Sequence, residues 1–319
     1  MEPELELRGH SWIIDRLVTV RSDEGQVLLV SADTHNSVRV WDPLTGELVG
    51  GPVQGDEVRT QLAALRLGPV ELARASGRGV VPATERTRAL IVDIGGERVQ
   101  VIDPDTDLVV FEFAQPPDPP GHIGPRVFRQ AGVRLGDDTA GFVTDRFSSE
   151  VELWVPARPP WVPRRWRWRS YSLTDGCFGG DLAVLDTGPG GSHLAVNHRR
   201  AIAVWDVTTR RRVARIDLDA LVDTMASVPL ADGPLLAVGV DCGRDAAVRI
   251  CDPYGGELVG EVFNRHGPAF GQRGYKSTIM ALTAVPGPGD TVRVASGSHD
   301  GVVRISPPIG KAGDPAFTN

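Results

Sequence analysis

The stretch VRVWDPLTGELVG (38–50) decides the fold. Val38 and Val40 alternate with Arg39, the period-two pattern of a strand with one buried face. Asp42-Pro43 and Thr45-Gly46 are turn chemistry. Leu48 and Val49 open a second strand, so the segment reads as a hairpin. The same motif recurs as VQVIDPDTDLVVFEF (99–113), VELWVP (151–156), IAVWDVTTRRRVARI (202–216), VRICDPYGGELVGEV (248–262) and VRISPP (303–308). Trp41 is matched in turn by Ile102, Trp154, Trp205, Cys251 and Ser306, at spacings of 61, 52, 51, 46 and 55 residues. Self-similarity of this kind implies one supersecondary unit repeated along the chain.

Further apolar strands lie upstream of these motifs. Before Trp41 they are RLVTV (16–20) and QVLLVSA (26–32), and before Cys251 they are MASVPL (225–230) and PLLAVGV (234–240). Gly and Pro interrupt every window long enough for an amphipathic helix. The expected architecture is therefore all-β, with four short antiparallel strands per unit.

These motifs resemble the WD40 family, and the resemblance covers nearly the whole chain. Trp-Asp stands at Trp41-Asp42 and Trp205-Asp206, and Gly-His at Gly9-His10 and Gly121-His122. His10 precedes Trp41 by 31 residues and His122 precedes Trp154 by 32. The resemblance implies a closed β-propeller, and a buried chain of hydrogen bonds within each blade. The chain links Trp, a Ser or Thr ten residues earlier, a His between the fourth strand and the next first strand, and an Asp in the turn between strands two and three. A buried indole N–H needs an acceptor, and a satisfied polar network pins strand register. Blade 1 offers Trp41, Ser31 and His10, with His35 in the Asp place. Blade 3 offers Trp154, Thr144 and His122, with Ser148 in that place. The last blade offers Ser296, Asp300 and His266, with Ser306 replacing Trp. Blade 4 keeps Trp205 but little else of the network. No blade is expected to be complete.

Six blades are favoured over the 319 residues, with a long insertion near 68–88. Seven, with one hidden inside 52–98, is the alternative. ELELRGH (4–10) is a strand with no blade of its own, and the last motif runs into Pro307-Pro308. Residues 4–8 are therefore expected to complete the last blade, which leaves no open inner edge. The whole of 1–319 is read as one domain.

The chain is 41% hydrophobic and 24% charged, as in a soluble globular protein. Its formal net charge of -7 disfavours a general nucleic-acid binder, which needs a positive field to displace counterions. Cys177, Cys242 and Cys251 form no C-x-x-C pair, which points to free thiols in the cytoplasm. MEPELELRGH has no basic stretch before an apolar core, so no secretory leader is expected. No run approaches 18 apolar residues, so no membrane association is expected.

Nothing legible is catalytic. The seven histidines form neither H-x-x-x-H nor H-E-x-x-H, and His193 and His198 have no Cys or carboxylate nearby in sequence. The glycine runs match no phosphate-binding loop, and G-x-S-x-G is absent. No catalytic residue, cofactor or metal is therefore expected, and the leading reading is a monomeric scaffold for another protein or peptide. A small-ligand or catalytic propeller using the channel mouth is the alternative.

Two surfaces are candidates for a partner. The resemblance places partners on the face carrying the loops between blades, where 114–126, 170–180 and 264–277 are long. The last of these holds Arg265, Phe270, Arg273, Tyr275 and Lys276, residue types enriched at binding hot spots. The second is RPPWVPRRWRWRSY (158–171), read as the outer strand of blade 3, where Trp166 and Trp168 alternate with Arg165, Arg167 and Arg169. Arg210, Arg211 and Arg212 lie at a similar place in blade 4. Together these make a basic rim suited to an acidic peptide or another anionic polymer, or else a set of charged gatekeepers on an edge strand.

Overall fold

The structure, a computed structural model, describes residues 4–21, 26–35, 37–54, 60–63, 90–95, 98–103, 108–114, 129–136, 140–145, 151–157, 167–173, 181–243, 245–266, 277–289 and 291–309. It is nearly all β. The described strands form six four-stranded antiparallel sheets.

Strand β1 (Leu5–Leu7) belongs to the last of these. Sheet 1 is β2 (Ile14–Arg21), β3 (Val27–Asp33), β4 (Ser37–Trp41) and β5 (Leu48–Gln54). Sheet 2 is β6 (Thr60–Ala63), β7 (Leu90–Gly95), β8 (Arg98–Asp103) and β9 (Leu108–Ala114). Sheet 3 is β10 (Arg129–Arg134), β11 (Ala140–Asp145), β12 (Val151–Ala157) and β13 (Arg167–Ser172). Sheet 4 is β14 (Leu182–Asp186), β15 (Ser192–His198), β16 (Ala201–Asp206) and β17 (Arg211–Asp217). Sheet 5 is β18 (Leu221–Val228), β19 (Leu235–Asp241), β20 (Ala246–Cys251) and β21 (Leu258–His266). Sheet 6 holds β22 (Ile279–Pro286), β23 (Val292–Ser298) and β24 (Val303–Ile305), with β1 outermost. Leu5, Glu6 and Leu7 pair with Ile305, Arg304 and Val303, so the two ends of the chain share one sheet. Beyond β24, Ile309 bridges back to Val292.

The cores lie between sheets. Leu185, Ile202 and Val204 of sheet 4 pack with Leu236 and Val238 of sheet 5. Ala237, Val248 and Ile250 of sheet 5 pack with Ile279 and Val294 of sheet 6. Val285, Ala295 and Ile305 of sheet 6 pack with Ile14, Leu29 and Trp41 of sheet 1. Sheets 4, 5 and 6 are apolar on both faces because each packs against a neighbour on both. The first strands follow one another in space: β2 meets β6, β6 meets β10, β10 meets β14, β14 meets β18, β18 meets β22, and β22 meets β2.

One position on the second strand sets how closely consecutive sheets approach. Register makes Ala32, Asn197, Gly239 and Gly297 equivalent. Asn197 Nδ2 donates to the Val222 carbonyl at 3.0 Å. A Cβ at Gly239 would meet Ile279 Cβ at 3.1 Å, and one at Gly297 would meet Ile14 Cγ2 at 2.5 Å. Val222, Ile279 and Ile14 each sit at the start of the next sheet's first strand, so glycine is what the approach of sheet 6 to sheet 1 requires.

Two expected loops are shorter than the sequence implied. Residues 170–172 complete β13 rather than opening a loop, because they pair with 152–154. Residues 264–266 complete β21, whose His266 pairs with Ala246.

Candidate functional site: the loop face of sheets 5, 6 and 1

A buried polar network supports this face at His10, between β1 and β2. His10 Nε2 lies 2.7 Å from Ser31 Oγ, Trp41 Nε1 donates to Ser31 Oγ at 2.8 Å, and His10 Nδ1 lies 3.0 Å from Asp33 Oδ2. Burial lowers the pKa of His10, so the ring is neutral. The indole occupies one side of the serine oxygen, so the hydroxyl donates to Nε2 and the Nδ1–H donates to Asp33. Sheet 1 therefore has all four members. The Asp place is filled by Asp33, not left to His35 as the sequence implied. The Asp33 carboxylate serves twice, since its Oδ1 also accepts from the His35 and Ser37 backbone N–H groups at 3.0 Å and shapes the turn.

Sheet 6 repeats the network without an indole. His266 Nε2 lies 2.8 Å from Ser296 Oγ, and its Nδ1 lies 3.1 Å from Asp300 Oδ1. Arg304 Nη1 donates to Asp300 Oδ2 at 2.6 Å and lies 2.6 Å from His266 Nδ1. The Asp300 carboxylate and the Arg304 guanidinium thus converge on one ring nitrogen, and Ser296 meets the other. Ser306 stands where Trp41 does in sheet 1. The Ser306 hydroxyl is satisfied locally, accepting from Val294 N and donating to the Pro307 carbonyl. Arg304 also reaches Glu6 at 3.2 Å and Glu4 at 3.6 Å, tying the network to β1.

Sheet 4 keeps the indole without the network. Trp205 pairs with Leu194 as Trp41 pairs with Leu29, but Val196 stands at the place of Ser31. Trp205 Nε1 is buried and has no hydrogen-bond partner. Trp205 is therefore a packing residue rather than a network member. In sheet 3, Thr144 and Trp154 fall on adjacent strands, β11 and β12, but their side chains, like the whole of His122, lie outside the described residues.

Above this support the surface is aromatic and polar. Trp12, two residues past His10, is 50% exposed. Its ring stacks on His35, with centroids 3.9 Å apart and planes 20° apart. The stack joins the connection from sheet 6 to the turn of sheet 1, so Trp12 is held outward on a rigid base. Sequence reasoning missed it because Trp12 belongs to no repeated motif. Arg265 is exposed beside His266 at the end of β21, on the same face. The rest of the expected loop site, Phe270, Arg273, Tyr275 and Lys276, lies outside the described residues. So do Arg165 and Trp166. The backbone of Arg167, Trp168 and Arg169 forms the outer strand β13, opposite Ala157, Pro156 and Val155, as expected for blade 3.

On the opposite face, one turn is built alike in three sheets. Asp42 Oδ1 accepts from Leu44 N, Asp206 Oδ1 from Thr208 N, and Asp252 Oδ1 from Tyr254 N, each at 2.8 Å. The residue four positions on is left-handed in all three: Gly46, Arg210 and Gly256. In a residue with a Cβ that conformation costs roughly 1–2 kcal/mol. Nearby, His193 Nδ1 lies 3.0 Å from the Tyr254 hydroxyl and links sheets 4 and 5. Among the described residues no group of His, Cys, Asp or Glu is arranged to hold a metal ion.

No family model and no curated protein sequence matches the chain. Solved structures do. One is a crystal structure of BBS1N, a β-propeller, in complex with ARL6DN and soaked with lead: 12% identity, 97% of each chain covered, TM-score 0.54. With the six antiparallel sheets, this likeness places the chain in the β-propeller fold class.

Proposed function

We propose that the protein is a non-enzymatic interaction scaffold of the WD40 type, in which the six sheets are blades of one closed ring. It binds a protein or peptide on the loop face around Trp12. The observation that carries this reading is the stacked Trp12–His35 pair, exposed above a buried hydrogen-bond network. A large aromatic side chain held rigid on the surface loses little entropy on binding and buries much area. The neighbour BBS1N was crystallised with a protein partner, which fits the same use of the fold. A monomer working in the cytoplasm belongs to the same reading.

The test is affinity capture from lysate of the source organism, read by mass spectrometry, with wild type beside Trp12→Ala and a Phe270, Arg273, Tyr275→Ala variant. A protein retained by wild type and lost with Trp12→Ala, at an unchanged melting temperature, is the expected result. Loss only with the second variant moves the site to the 264–277 loop. Retention of nothing specific by wild type overturns the scaffold reading.

A further inference from the structure

The turn that is built three times carries different residues in one of its copies. From the left-handed position onward the three copies read Gly46-Glu47-Leu48, Arg210-Arg211-Arg212 and Gly256-Glu257-Leu258. Sheet 4 thus has three positive charges where its sister turns have one negative charge. The arginine at 210 persists although its φ of 58° favours glycine. Its guanidinium lies 4.5 Å over the ring of Tyr171 on β13, which holds it across sheet 3. Arg211, Arg212 and Val213 are all exposed. None of the three arginines makes an ion pair among the described residues. β17 is the end strand of its sheet, so its outer edge pairs with no other described strand.

We propose that this edge, from Arg210 to Val213 with Tyr171 beside it, docks an extended acidic segment of a partner protein, added to sheet 4 as a fifth strand. Charge complementarity carries the choice of occupant. The chain as a whole is at -7, so an acidic partner is repelled over most of the surface and steered to this strip. Strand addition supplies backbone hydrogen bonds, Arg211 and Arg212 take carboxylates, and Val213 offers an apolar contact. A polynucleotide fits less well, because it needs a run of phosphate contacts across a broadly positive face. The site is separate from the Trp12 face and does not rest on it.

The test uses the full chain and a fluorescein-labelled probe of about eight residues, the length of an ordinary strand, in which Glu alternates with Val. The variant combines Arg210→Gly, Arg211→Glu and Arg212→Leu. Its local sequence already folds twice in this protein, so melting is expected to be unchanged or raised. Fluorescence polarisation should show salt-sensitive binding to wild type and binding about tenfold or more weaker to the variant. A probe with Lys for Glu, or with alternate backbone nitrogens methylated, should bind as weakly as the variant does. Equal binding by variant and wild type overturns the proposal, as does no binding of the acidic probe. Equal binding of the methylated probe overturns strand addition, and tighter binding of a single-stranded oligonucleotide of matching length overturns the choice of a protein partner.

Discussion

Two tryptophans at one structural position divide the roles of packing and hydrogen bonding. Trp41 and Trp205 are both buried in inter-sheet cores, but only Trp41 has an acceptor. Replacing each by Phe removes similar bulk. In Trp41→Phe the Ser31 oxygen loses its donor inside a connected network. In Trp205→Phe an unpaired N–H disappears. Trp41→Phe should therefore destabilise by about 1–3 kcal/mol more than Trp205→Phe, the scale of one buried hydrogen-bonding group left unmatched. Denaturant titration of both variants measures the difference, and equal losses would remove the network from the stability of sheet 1. His10, Ser31 and Trp41 were legible because they match the WD40 pattern that the chain resembles. Asp33 was not, because a motif counted along the sequence cannot show that one carboxylate both shapes a turn and receives a histidine proton. Trp12 was invisible for a related reason: its exposure and its partner His35 are products of the fold.

At the level of elements, β1 is short but carries several contacts. Leu7 is buried against β24 and Trp41's core. Glu4 and Glu6 reach Arg304, which is itself engaged with Asp300 and His266. Deleting residues 1–9 strips β24 of its outer partner, leaving only β23, and deprives Arg304 of Glu4 and Glu6. The expected outcome is a destabilisation of at least about 2–5 kcal/mol, the range for losing one large core side chain alone. Thermal melting of the truncated chain against wild type checks this, and an unchanged midpoint would mean that β1 does not hold sheet 6. The repeat count placed the strand elements well, since alternation and Asp-Pro turns are local signals. Strand ends were less legible. Residues 264–266 looked like loop and are ladder, and Ser170 and Tyr171, which the sequence offered both as strand end and as loop start, are ladder too, because pairing with a neighbouring strand overrides weak local propensity.

Across the whole molecule, buried titratable groups tie stability to pH with opposing signs. Burial lowers the pKa of His10, His193 and His266 below their ordinary 6.5. The unfolded chain then binds more protons than the folded one as pH falls past 6.5, so stability present above that value is lost below it. Glu4 runs the other way. Burial outweighs the attraction of Arg304 and pushes it from 4.5 up to about 7, so its contribution is fully present below 4.5 and lost as pH rises through about 7. Melting temperature should fall between about pH 8 and pH 5, with the histidines outnumbering Glu4. Glu4→Gln should steepen that fall. A shallower fall in the variant would contradict the assignment of Glu4.

By itself the sequence determined that the protein is built from repeated antiparallel hairpins, that the N-terminal segment has no unit of its own, and which units keep a Trp or a His. Those features are written in local alternation, turn residues and spacing, which act over a few residues. From that unpartnered N-terminal segment came the expectation that residues 4–8 complete the last blade, and the pairing of Leu5, Glu6 and Leu7 with Ile305, Arg304 and Val303 agrees with it. Only the tertiary structure decided that Asp33 completes one network, that Arg304 enters another, and that Tyr171 of the neighbouring sheet lies against Arg210. Each of these depends on groups far apart in the chain coming within hydrogen-bonding or contact distance, and that proximity arises from inter-sheet packing rather than from any local pattern.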